Sequence, residues 1–164
     1  MATKQQTQAL SEQLGRVLLQ QQIICTVAES CTGGSLAAAI TDIPGSSQWF
    51  ERGFVTYSNK AKEQMLAVPH QTLVTYGAVS EATVAAMAQG AMAASDASVS
   101  IAISGIAGPD GGTREKPVGT VWIAWAIAGQ PTHCHRFLFA GDRFSIREQA
   151  VDKALQGLIQ RCEP

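Results

Sequence analysis

The sequence predicts an α/β fold: three layers, α/β/α, around a mixed sheet, formed as a single domain over residues 1–164. Three observations carry this. Short apolar runs alternate with stretches of helical periodicity through the first part of the chain, the pattern left by parallel strands joined through helical crossovers. Two apolar runs near the C-terminal end, residues 120–128 and 133–140, are separated by Gly129-Gln130-Pro131, which reads as a hairpin and brings in antiparallel pairing. Finally, 46% of the 164 residues are hydrophobic, enough to fill one core, and no internal repeat, linker or low-complexity tract divides the chain.

Each element has its own signal. Residues 5–20 place Leu10, Leu14, Val17 and Leu18 at helical spacing, giving an amphipathic first helix. Residues 23–28 read as a short buried strand. A polar, glycine-bearing turn follows, and then a helix over 32–41 that Asp42-Ile43-Pro44-Gly45 stops. Residues 46–50 suggest a short helical turn, 54–57 a strand and 59–66 a helix. Ser80 stands as N-cap of a helix that runs to about Ala94. Residues 99–104 form a strand, whereas 105–119 are too rich in Gly and Pro for anything but a loop. After the hairpin, a closing helix starts at Phe144 or Ser145 and ends near Gln160, with Ile146, Ala150, Ala154, Leu155 and Leu158 on one side.

Composition narrows the class. A net charge of −1 supplies no basic field for gripping nucleic acid through its phosphates. Gly, Ser, Asp and Pro interrupt every apolar stretch before it reaches membrane-spanning length. Residues 1–22 are Gln-rich and amphipathic and lack the apolar core and cleavage site of a signal peptide. A cytoplasmic protein is therefore expected, with neither nucleic acid nor membrane as partner. The four cysteines, Cys25, Cys31, Cys134 and Cys162, contain no CxxC and match no zinc framework. His133 and His135 would share one strand face, but no third ligand is evident in the sequence, so no metal is expected.

Four polar segments lie at expected strand ends, where α/β sheets hold ligands. The first is Glu29-Ser30-Cys31-Thr32-Gly33-Gly34. Ser30 is the candidate nucleophile, and it needs a base; the second segment, Tyr57-Ser58-Asn59-Lys60-Ala61-Lys62, supplies a tyrosine and two lysines. Ser30 would serve equally as a helix N-cap, with the lysines solvated. Cys31 is the rival nucleophile, although a buried cysteine usually only packs. Glu29 would orient a lysine, bind a ligand amide or hydroxyl, or complement the start of the following helix. That helix start would offer N–H groups to an anion or an oxyanion. The third segment, Ser104-Gly105-Ile106-Ala107-Gly108-Pro109-Asp110-Gly111-Gly112, allows close backbone approach to a ligand or simply makes a turn, for which Asp110-Gly111-Gly112 is a strong signal. The fourth holds Arg143 and Arg147, suited either to a phosphate or to surface pairs with Asp142 and Glu148. A P-loop, a GxGxxG fingerprint, a Tyr-x-x-x-Lys pair and a GxSxG elbow are all absent from the sequence.

In this order, Thr26-Val27-Ala28-Glu29-Ser30-Cys31-Thr32-Gly33-Gly34, Val55-Thr56-Tyr57-Ser58-Asn59-Lys60-Ala61-Lys62, Gly77-Ala78-Val79-Ser80, Ser104 to Pro109 with Lys116-Pro117-Val118-Gly119, and Gly141-Asp142-Arg143 resemble the C-terminal domain of the CinA (competence-damage-inducible) family. The resemblance implies an amidohydrolase that converts nicotinamide mononucleotide to nicotinate mononucleotide and ammonia. It implies Ser30 as nucleophile, assisted by Tyr57 and by Lys62 in preference to Lys60, and oxyanion donors among the N–H groups near Cys31, Thr32 and Gly33. It further implies that Ser104 and Gly105 line the site with Glu29, and that Arg143 or Arg147 meets the phosphate. No metal or cofactor is required. Two departures are mild: Met65-Leu66-Ala67-Val68 stands where the family usually has Leu-Gly-Val, and Ser104 where many members have threonine. The alternative is a catalytically silent nucleotide- or partner-binding module linked to competence or DNA damage. A homo-oligomer is expected, because Trp122, Trp125, the hairpin and the Ala-rich helix over 82–94 offer more apolar surface than one small domain needs.

Overall fold

Alternation along the strands decides how the layers form. The computed structural model describes residues 3–164; the expected domain span and the N-terminal reading also include Met1 and Ala2, which lie outside the described residues. β1 (Cys25–Glu29), β3 (Val99–Gly105) and β4 (Thr120–Ile127) are buried almost throughout, and successive side chains point to opposite faces. One face carries Val27, Ile101, Ile103, Ile123 and Trp125; the other carries Ala28, Ala102, Ala124 and Ala126. Helices α1 (Lys4–Gln21), α2 (Ser35–Thr41) and α6 (Arg143–Cys162) cover the large-residue face. Helices α3 (Asn59–Leu66), α4 (His70–Tyr76) and α5 (Glu81–Ala93) cover the alanine face. The small side chains let α5 approach closely: Ser100 Oγ donates to the Ala88 carbonyl at 2.7 Å, and a Cβ at Gly90 would run into the Leu66 carbonyl.

The five-stranded sheet has the order β2-β1-β3-β4-β5, with β2 (Phe50–Val55) and β5 (His133–Leu138) at its edges. β1 pairs in parallel with both β2 and β3, and β4 is antiparallel to β3 and β5, so the sheet is mixed as expected. The chain leaves β1 towards β2 and leaves β3 towards β4. These opposite departures open a crevice beyond the carboxyl ends of β1 and β3, where open α/β sheets hold ligands.

Several boundaries differ from expectation. α2 begins at Ser35 rather than Thr32, because Gly33 and Gly34 adopt φ of 58° and 105°, outside the helical region. β2 begins at Phe50, four residues early; it is an exposed edge strand whose Glu51 and Arg52 hide the apolar alternation. α4 was not expected, since Leu73 is its one buried residue. Of the apolar surface inferred for oligomer contacts, Trp125 and the inner side of the Ala-rich helix are used within the chain, whereas Ala82, Ala85 and Ala93 keep part of their surface exposed. Trp125 is 3% exposed beneath α6, where its Nε1 donates to the Ala154 carbonyl at 2.9 Å, and α5 lies on the sheet.

Candidate active site

The turn after β1 is pinned to the sheet before it reaches α2. Ser30 N–H donates to the Ile103 carbonyl at 3.0 Å, and Gly33 N–H closes the turn onto the Ser30 carbonyl at 3.0 Å. Glu29, fully buried, reaches forward over the two glycines. Its carboxylate accepts from Thr32 Oγ1 at 2.6 Å and from the N–H groups of Gly34, Leu36 and Ala37 at 3.2, 2.9 and 2.9 Å. These are the orphan donors and positive dipole end of α2, which a buried anion satisfies. Two expectations are corrected by this. Glu29 does not face a ligand, because it is inaccessible and occupied. The N-terminus of α2 is not the oxyanion site either, because Glu29 closes it. Gly33 N–H is likewise committed to the turn. The N–H groups of Cys31 and Thr32 donate to no backbone carbonyl among the described residues.

Ser30 is not a helix cap; Gly34 holds that place. Its Oγ accepts from Lys62 Nζ at 2.9 Å, and the same Nζ donates to the Thr56 carbonyl at 2.7 Å. The helix delivers the lysine by period: Ser58 caps α3 by accepting from Ala61 N–H at 3.0 Å, and Lys62 and Leu66, one turn apart, both point inward. Lys62 is 1% exposed, whereas Lys60 is exposed on the outer face. The ion pairs among the described residues are Arg52–Glu51 and His70–Glu63, so no carboxylate compensates the ammonium. Burial therefore pulls the Lys62 amine down from 10.5 to about 8, with the Cys31 thiol opposing weakly. A serine hydroxyl beside such an amine has a base within reach. Cys31 is the opposite case: burial pushes its thiol up to about 11, which keeps it protonated and unreactive near neutrality.

A cleft of about 310 Å³ opens beside this pair, within the size range of small-molecule sites. Ser30, Cys31, Tyr57, Lys62, Ser104, Gly105 and Arg143 all line it, so four of the sequence segments converge here. Ser104 Oγ donates to the Ala78 carbonyl at 2.8 Å, which ties the end of β3 to the segment between α4 and α5. Gly105 is required, because a Cβ there would sit 2.9 Å from the Thr120 carbonyl. Tyr57 is 62% exposed at the mouth, and its hydroxyl accepts from Arg143 Nη2 at 3.0 Å rather than bonding to Ser30. Arg143 also donates to the Gly108 carbonyl at 2.7 Å and forms no ion pair among the described residues. Asp142 is engaged in capping α6, accepting from Ser145 N–H at 2.8 Å.

Arg147 lies elsewhere. It does not line the cleft; its Nε donates to the Cys31 carbonyl and its Nη2 to the Thr32 carbonyl, each at 3.0 Å. The cleft thus offers Arg143 and Lys62 as cations, whereas Thr32 and Gly33 lie in the turn behind Cys31 and are not among the lining residues. Sequence reasoning missed the Thr56 carbonyl, which no side-chain pattern signals, and left Asn59 and Asp110 of the lining without a role. No group of three or more His, Cys, Asp or Glu poised for a metal occurs among the described residues, and no described helix is long and apolar enough to cross a membrane.

Residues 7–162 match the family described as the CinA C-terminal domain. The chain is 55% identical over 159 residues to nicotinamide-nucleotide amidohydrolase PncC of Escherichia coli strain K12, covering 97% of this chain and 96% of that one. It is 52% identical over 151 residues to the protein of the same name from Pseudomonas putida, covering 92% and 94%. Among solved structures, the competence/damage inducible protein CihA from Agrobacterium tumefaciens superposes with a TM-score of 0.92 at 42% identity, covering 94% of each chain.

Proposed function

Because the chain belongs to the CinA C-terminal domain family, we propose that it hydrolyses the carboxamide of nicotinamide mononucleotide to nicotinate mononucleotide and ammonia. The observation that carries the reading is the 2.9 Å contact between Ser30 Oγ and a buried Lys62 amine whose proton affinity is lowered to about 8. The names of relatives at 51–55% identity supply the substrate.

In this mechanism the neutral Lys62 amine takes the Ser30 hydroxyl proton as Oγ attacks the carboxamide carbon. The tetrahedral oxyanion is met by backbone N–H of the turn. Lys62 returns the proton to the amide nitrogen, the C–N bond breaks, and ammonia leaves an acyl-serine. Water then attacks that ester, again giving its proton to Lys62, and nicotinate mononucleotide departs as Ser30 is reprotonated. Arg143 meets the phosphate, for which a guanidinium is well matched in shape and charge. Tyr57, held by Arg143 at the mouth, closes over the pyridine ring and assists proton movement. The setting implied is pyridine nucleotide recycling in the cytoplasm by a homo-oligomer, without nucleic acid or membrane.

The test is ammonia release from nicotinamide mononucleotide by the purified protein, with the dinucleotide and the riboside in parallel. Wild type should turn over the mononucleotide, and Ser30→Ala should fall to background. Full turnover by Ser30→Ala would exclude the covalent serine. Binding without turnover by wild type would favour the silent module.

A further inference from the structure

Arg147 sits four residues from Arg143 on α6, yet faces a different cavity, of about 330 Å³, on the side of the turn covered by α1 and α6. Its guanidinium spends Nε on the Cys31 carbonyl and Nη2 on the Thr32 carbonyl, with Ser35 Oγ 3.4 Å from Nη2. An arginine half-buried against main-chain oxygens, with no carboxylate partner, is there for the backbone it holds.

In a planar trans peptide the C=O of one residue and the N–H of the next point in opposite directions. Arg147 draws the Cys31 carbonyl towards α6, so the Thr32 N–H points away from α6. Lys62, on α3 of the other helical layer, lies on that opposite side, and the cleft beyond the strand ends opens beside it. The neighbouring peptide is set in the same manner: the Ser30 carbonyl is turned to Gly33 N–H, and Cys31 N–H takes the reverse direction. Thr32 is fully buried and its N–H has no backbone acceptor among the described residues. Buried backbone donors are almost always paired, so an orphan beside the nucleophile marks the place of a transient acceptor.

We propose that Arg147 is a positioning residue for the reaction: by anchoring the Cys31 and Thr32 carbonyls it aims the Thr32 N–H at the oxyanion formed on Ser30. It does not touch the substrate, and the phosphate role considered for it from sequence falls to Arg143. The inference rests on Ser30 being the nucleophile.

Arg147→Ala tests it with two readouts. In ammonia release, kcat should fall about 100-fold, the size of one lost oxyanion donor, while KM changes little. The cavity beside Arg147 gives small solutes access, so guanidinium at millimolar, non-denaturing concentration should recover part of kcat. In the second readout a fluorophosphonate labels Ser30, a reaction that also builds charge on oxygen but needs no nucleotide. Its rate should fall with kcat in Arg147→Ala and recover with guanidinium. Unchanged kcat, a loss confined to KM, or a loss without rescue that tracks the unfolded fraction would each overturn the assignment. Wild type that labels but ignores nicotinamide mononucleotide would sink the substrate reading alone, leaving the labelling rates to decide on Arg147. Wild type that does not label at Ser30 would sink both.

Discussion

Replacing Lys62 by Met separates the buried amine's charge from its packing. Methionine keeps an unbranched stem of similar length in the space that Lys62 fills at 1% exposure, but it cannot be protonated. In the folded protein the amine is drawn down from 10.5 to about 8. Between these values the unfolded chain holds a proton that the folded chain has released. Stability therefore rises with pH across that window and is flat outside it. The fall corresponds to about 3 kcal/mol at about 1.36 kcal/mol per pH unit, and screening through the open cleft lowers this to about 2. Lys62→Met also forfeits the hydrogen bond to the Thr56 carbonyl, a cost of about 1 kcal/mol that is the same at every pH.

Urea unfolding of both proteins from pH 7 to pH 10.5 reads the difference. Other lysines and tyrosines titrate in both chains and cancel. Wild type should gain on the variant by about 2 kcal/mol between pH 8 and 10.5, with most of the change inside that interval. Below pH 8 the variant should equal or exceed wild type in spite of its lost hydrogen bond. Parallel curves would refute the reasoning, because Lys62 would then titrate as an ordinary lysine and could not supply a neutral amine near neutrality. The same value governs catalysis. kcat/KM of wild type should rise about tenfold per pH unit below about 8 and level off above, and Lys62→Met should lose activity by about 10³-fold or more.

Arg143→Ala should raise KM for the mononucleotide by about 10- to 100-fold, the worth of a charge-assisted contact, and leave turnover of the riboside unchanged. Equal losses on both substrates would place Arg143's importance in Tyr57 or the Gly108 loop instead. Ala67→Gly should stabilise the fold by about 0.5–1 kcal/mol, seen as a higher urea midpoint at unchanged slope, because Ala67 closes α3 at φ 55°, in the left-handed region. A lower midpoint would mean that the Ala67 methyl contributes more than its backbone strain costs.

Much of the architecture was legible because local signals agreed with the final layers. The helix over 59–66 follows from spacing, as does the hairpin at Gly129 to Pro131, whereas the Ser58 cap and the inward pair Lys62 and Leu66 become visible only in the fold. Elements that depend on partners were less so. Phe50–Gly53 pairs only at a sheet edge, and α4 buries little besides Leu73. The fate of Trp125 had a signal that was not used: Gly157 interrupts the apolar side of α6, and a Cβ there would collide with the Trp125 ring. In the site, Ser30, Tyr57, Lys62, Ser104, Gly105 and Arg143 do share one cleft. Glu29 and Arg147 were placed in it wrongly, since spacing brings them near the turn but only the fold says which side of the backbone they hold.

The commitment of Glu29 to α2 leaves Lys62 without a counter-charge. Glu29 precedes Ser30, the proposed nucleophile, by one residue and is the acid that could have paired with Lys62. A paired ammonium in a buried site keeps its proton, since an opposite charge at close range offsets the desolvation that burial imposes. Glu29 instead gives its carboxylate to one hydroxyl and three N–H groups at the start of α2, and it exerts no resolved pull on Lys62. The two left-handed glycines, Gly33 and Gly34, make this possible by turning the chain so that the α2 donors face back towards the end of β1. On the other side Arg147, itself a cation, is held by the turn's carbonyls, and among the described residues no anion pairs with the amine. The same contacts that hold the turn rigid thus leave Lys62 solvated only by a carbonyl and a hydroxyl, and burial without a counter-charge prepares it to take a proton.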